Sequence, residues 1–135
     1  MVVSEESTLV DFDADAALAA ARDAGEGSVH LCVEYTVEEF RTLYADETTV
    51  ALYAGDRAEM DAHFEEVHSY VHIDFTEKDL FGEIFRAAGE VRSFVTFMEN
   101  AALVRAIVGQ QGLFLSADPD ADVTGIVEAV ESELE

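Results

Sequence analysis

The chain has 135 residues, with 30 Asp and Glu against seven Lys and Arg, and a formal net charge of −23. Half of it is hydrophobic. That length suits one domain with a single core, and that apolar fraction excludes a disordered acidic tail. A multidomain enzyme, a disulfide scaffold and a coiled-coil rod are excluded as well, and the single cysteine, Cys32, permits no internal disulfide.

Eighteen Glu and twelve Asp are spread along the whole chain, while Lys78 is the only lysine. Such a charge repels itself strongly in dilute buffer. At about 1 M salt the Debye length is roughly 3 Å, and most of that repulsion is screened. The composition therefore reads as that of a halophilic protein. Phosphate binding needs Lys and Arg, and no basic cluster occurs, so nucleic acid is a disfavoured partner without being excluded. The first fifteen residues carry acids and no base, unlike a signal peptide, and no apolar run approaches the ~18 residues of a membrane span. The expected location is the cytoplasm.

In chain order, residues 1–12 read as a flexible start to a single domain, 1–135. Residues 14–24 are an Ala-rich helix ending at Gly25. Residues 28–35 alternate, with Leu31, Val33 and Tyr35 on one face and His30, Cys32 and Glu34 on the other, as in a strand. Thr36-Val-Glu-Glu39 fits a capping box and predicts a short helix carrying Phe40, Leu43 and Tyr44. Residues 48–54 are ambiguous between strand and helix. Asp56-Arg-Ala-Glu59 predicts a second helix, to about Val71, and Thr76-Glu-Lys-Asp79 a third, ending at Gly89.

The pattern then changes. Val91–Glu99, Ala102–Val108 and Leu113–Ala117 read as a three-stranded antiparallel meander, with a turn at Gly109-Gln-Gln-Gly112. A last helix, 122–134, carries Val123, Ile126, Val127, Val130 and Leu134 on one stripe. The fold class is α+β: an antiparallel sheet of the N-terminal strand and the meander, with helices mainly on one face. With 48–54 as a strand, the order becomes α-β-β-α-β-β-β-α and resembles roadblock or profilin-like folds.

Two clusters carry candidate chemistry. On the helix from Asp56, Asp61, Glu65, His68 and His72 fall on one flank at i, i+4, i+7 and i+11. Two histidines at i and i+4 can ligate one divalent transition metal, and Glu-x-x-His is the spacing of di-iron bundles. The competing reading is a solvated polar flank in a chain rich in acids. On the first strand, Cys32 and His30 share a face, which suggests a redox thiol beside a base. The competing reading is a small buried hydrophobe. Dinucleotide, P-loop, zinc-protease, dithiol and nucleophile-elbow motifs are all absent.

The meander carries apolar residues on both strand faces, for example Val95 and Phe97 against Phe94 and Met98. A second copy of the chain is the simplest cover for the face that one layer of helices leaves open. The expectation is therefore a non-enzymatic regulatory or protein-interaction domain acting as a homo-oligomer or on a protein partner, with no cofactor. The alternative is a metal- or redox-responsive sensor.

Three segments carry a resemblance: Glu34-Tyr-Thr-Val-Glu-Glu-Phe-Arg-Thr-Leu-Tyr44, Phe94-Val-Thr-Phe-Met-Glu-Asn100 with Leu103-Val-Arg-Ala-Ile-Val-Gly109, and Gly112-Leu-Phe-Leu-Ser116. Together they resemble a group of small uncharacterised haloarchaeal proteins across roughly residues 28–117. The likeness implies a haloarchaeal source and carries no activity with it. The stretch around His68 and His72 has no counterpart in that group.

Overall fold

The computed structural model describes residues 2–134. Six strands form one antiparallel sheet in the order β1-β3-β2-β6-β5-β4. They are β1 (Val3–Ser4), β2 (Val29–Thr36), β3 (Phe40–Ala45), β4 (Ser93–Phe97), β5 (Ala102–Val108) and β6 (Gln111–Ala117). Among the described residues, five α-helices accompany them: α1 (Ala14–Gly25), α2 (Glu47–Ala51), α3 (Arg57–His68), α4 (His72–Ile84) and α5 (Val123–Ser132), with a short 3-10 helix at Arg86–Ala88.

Helix α1 starts where the Asp13 carboxylate accepts from the Ala16 N–H at 3.0 Å. Ala14, Ala17 and Ala21 fall on one stripe and are fully buried. Their small side chains let α1 approach the sheet and α5 closely. Asp122 caps α5 through the Gly125 N–H at 3.0 Å, and Val123, Ile126 and Val130 fill the core beside α1. Cys32, Val104, Leu113 and Leu115 complete this main core from the sheet.

The opposite sheet face has two smaller clusters. Leu31 packs with Val50, Met60 and Phe64 of α2 and α3, and Tyr35 packs with Phe75 of α4, Ile107 and Phe114. Helices therefore stand over both faces of the sheet, where the sequence suggested mainly one. The expected alternation in β2 holds, with Cys32 in the α1–α5 core and Leu31 and Tyr35 under α2–α4.

Three further expectations are corrected. The predicted helix after Thr36 is strand β3. Thr36 Oγ1 accepts from the Glu38 and Glu39 N–H groups at 3.2 and 3.1 Å, and its own N–H donates to the Glu39 carbonyl at 2.8 Å. The capping pattern thus closes a hairpin turn. Residues 47–51 are helical, with Asp46 as cap, so the order α-β-β-α-β-β-β-α is reached with 40–45 as the second strand.

The predicted helix from Asp56 ends at His68, and α4 begins at His72 rather than at Thr76. Between them the Tyr70 and Val71 N–H groups donate to carbonyls three residues back, which tightens the chain into a turn. Val3 and Ser4 pair with Ala45 and Tyr44, and residues 7–10 fold over Glu34.

Candidate functional site

The residues expected to form a redox site sit apart in character. Cys32 is fully buried in the main core. Burial, with the charges of Glu34 and Asp15 behind it, pushes its thiol well above the ordinary range, away from the reactive thiolate. His30 is joined instead to two carboxylates. Its Nδ1 lies 2.5 Å from Asp46, the cap of α2, and its Nε2 lies 2.7 Å from Asp118, just past β6. Burial works against the charged imidazole, but the hydrogen bonds to Asp118 and Asp46 outweigh it and hold the His30 pKa above 6.5. His30 is a clasp between the ends of β2, β3 and β6.

The expected metal ligands are not brought together. Asp61 accepts from Arg57 Nε at 2.9 Å, one turn back on α3. His68 donates from Nε2 to the Thr36 carbonyl at 2.8 Å, and its ring lies 5.3 Å from that of Phe40. His72 opens α4, and its Nδ1 is 3.3 Å from the Ser69 carbonyl. Glu65 remains on α3. The break at residues 69–71 removes the single helical flank that the i, i+7 and i+11 spacing assumed. Among the described residues, no three His, Cys, Asp or Glu side chains are placed to hold one ion.

Two polar clusters went unread in the sequence. Glu34 is buried, with 0% of its surface exposed. It accepts from Ser7 Oγ at 2.6 Å and from the N–H groups of Thr8, Leu9 and Val10 at 3.0, 3.3 and 3.3 Å. On the other face Tyr35 donates to Asp74 at 2.8 Å, and Arg105 pairs with the same carboxylate at 2.5 Å. Burial first, and the Asp74 charge next, push the Tyr35 phenol far above its usual pKa. The three residues lie on β2, α4 and β5, so no local motif announces them.

A third feature is an exposed edge. Strand β4 ends the sheet and is hydrogen-bonded on one side only, to β5. Residues 93–98, Ser-Phe-Val-Thr-Phe-Met, carry no charge. Phe97 is 66% exposed and Phe85, at the end of α4, 57%. A groove of about 790 Å³ follows this edge between α4 and α5, lined by Phe81, Phe85, Phe94, Val95, Phe97 and Val127 among others. Exposed apolar residues in one patch beside an open strand edge mark a surface for association.

Residues 15–135 match the model of the family described as Domain of unknown function (DUF7522). The chain belongs to that family. No curated protein matches it. Among solved structures, it is similar to the Roadblock/LC7 domain from Streptomyces avermitilis. The TM-score is 0.50 at 13% identity, over 79% of this chain and 80% of that one. The likeness is one of fold, and it supports the roadblock-like architecture expected from the order of elements. Among the described residues, no helix is long and apolar enough to cross a membrane.

Proposed function

We propose that the domain is a non-enzymatic, regulatory interaction module of a halophilic archaeon that works as a homodimer joined through β4. The observation that carries this reading is the uncharged, one-sided edge of residues 93–98 in a chain of charge −23. Thirty acids leave few uncharged stretches on which two copies can meet, and this strand is one, with Glu90, Glu128 and Glu131 set back in the groove beside it. An edge strand is self-complementary: turned about a two-fold axis, it pairs antiparallel with its own copy. The pairing satisfies the open backbone groups of β4 and covers Val95, Phe97 and Phe85. Arg92 and Glu99 flank the neutral run, so ends of opposite charge meet when two strands lie antiparallel, with Arg92 also 3.3 Å from Glu131 of its own chain. The buried thiol of Cys32 and the internally satisfied Tyr35–Asp74–Arg105 cluster support a binding role over a chemical one.

A cysteine scan tests the geometry. Single cysteines are placed at positions 93–97, and the buried Cys32 serves as a silent control. Facing residues of an antiparallel pair have Cα atoms about 4.5–5.5 Å apart, within reach of a disulfide. Oxidative cross-linking should peak at one central position and fall on both sides of it. Uniformly absent cross-linking would refute the β4 pairing.

A further inference from the structure

A second cavity, of about 340 Å³, lies between the sheet and the α3–α4 hairpin. Its floor is Leu31, Val33 and Phe114, and its roof is Phe64, Val67 and Val71. The Tyr35–Asp74–Arg105 cluster and His68 line it as well. Tyr70, on the turn between α3 and α4, lines the space while most of its own surface is exposed, which places the mouth at that turn.

Protein interiors are packed with few voids larger than a water molecule. A cavity of about 150 Å³ lined by aliphatic and aromatic side chains stays dry and takes up benzene. This one is open to solvent beside Val67 and Tyr70 rather than enclosed; it is roughly twice that size and falls within the range of small-molecule sites. Several of its polar groups already have partners. Tyr35 and Arg105 both bond Asp74, and His68 Nε2 bonds the Thr36 carbonyl. Among the described residues, the one arginine that lines the space, Arg105, is paired with Asp74, and the chain's charge of −23 opposes an anionic head. The α3–α4 hairpin buries only Met60, Asp74 and Phe75. A roof held by so few residues can part to admit a guest.

We infer that this cavity binds one uncharged, apolar small molecule, of about ten carbon atoms and with at most a hydroxyl head. The guest lies between β2 and the α3–α4 hairpin and replaces contacts that the empty cavity lacks. The site is separate from the β4 edge and does not depend on dimer formation.

The test is a fluorescence titration in molar KCl with the uncharged dye N-phenyl-1-naphthylamine, followed by competition with decanol and with decanoate. Wild type should bind one dye per chain, decanol should displace it, and decanoate should do so at least tenfold less well. Val33→Phe fills the floor and should weaken dye binding at least tenfold. Phe114→Ala enlarges the cavity and should shift the preference towards longer alcohols, which keeps the test decisive if Val33→Phe does not fold. Phe97→Glu, on the β4 edge, should leave binding unchanged. Three results would each overturn the inference: no saturable dye binding by wild type, equal binding by folded Val33→Phe, or loss of binding in Phe97→Glu. The last would move the occupant to the β4 edge.

Discussion

Glu34→Gln is a severe change hidden in a single atom. The wild-type carboxylate is wholly buried and receives four hydrogen bonds. Oε1 serves Ser7 Oγ and the Val10 N–H, and Oε2 serves the N–H groups of Thr8 and Leu9. The amide of Gln keeps one acceptor oxygen and turns the other into a donor. Two of the four donors then face an NH₂ group. Each bond to a charged acceptor contributes about 1.5–3 kcal/mol. Residues 7–10 are near the surface and can detach into water, which caps the loss, so the expected cost is about 2–3 kcal/mol. For a chain of this size that lowers Tm by roughly 6–12 °C.

Thermal unfolding by circular dichroism in molar KCl measures the shift. Hydrogen exchange localises it, because the Thr8, Leu9 and Val10 amides should exchange much faster while those of β5 and β6 do not. A Tm within about 1 °C of wild type, with unchanged protection at these three amides, would refute the assignment of Glu34 as the anchor of the N-terminal segment.

Three more outcomes follow from the same geometry. The folded His30 pKa lies above its ordinary value of 6.5, so its contribution to stability is complete below about pH 6.5 and is lost as pH rises through the folded value. Asp46 is shifted downward: burial opposes the charge, but the His30 and Thr49 hydrogen bonds outweigh it, so its contribution is present above about pH 4 and lost only as pH falls below that. Tm should therefore decline from about pH 6.5 upward, and His30→Asn should flatten that decline; an unchanged profile in the variant contradicts the clasp. Gly112→Ala should cost about 1–3 kcal/mol by overpacking, because a Cβ there collides with the Tyr35 ring across the β2–β6 pair; a guanidinium midpoint equal to wild type would show that Tyr35 is not seated on this glycine. Cys32 should resist Ellman's reagent in the folded chain and react fully once unfolded, and rapid reaction of native protein would contradict its burial.

Much of the fold can be read in the sequence wherever one residue pattern serves one structural purpose. The alanine stripe of α1, the valine and isoleucine stripe of α5, the alternation of β2 and the span of β5 all follow from periodicity. Strand β3 does not. A register shift beside Cys32 and Val33 buries Thr42 and Leu43 in succession, so period-two alternation is lost, and Thr36-x-x-Glu39 serves a hairpin turn as readily as a helix cap. The α3–α4 break is equally silent, since Ser69, Tyr70 and Val71 include neither glycine nor proline. That silence produced the apparent metal flank. The clusters at Glu34 and at Tyr35, Asp74 and Arg105 join residues up to 70 positions apart, and only the topology brings them together. Along β4 the neutral run was visible, but its place at the end of the sheet was not.

Mass in solution tests the central claim most directly. Light scattering on untagged protein in molar KCl should give twice the chain mass of 14.7 kDa, about 29 kDa. Phe97→Glu, which sets a carboxylate of each copy against the shared edge, should return the chain mass with the far-ultraviolet spectrum unchanged. A wild-type protein that remains at 14.7 kDa across the accessible concentration range would contradict pairing through β4.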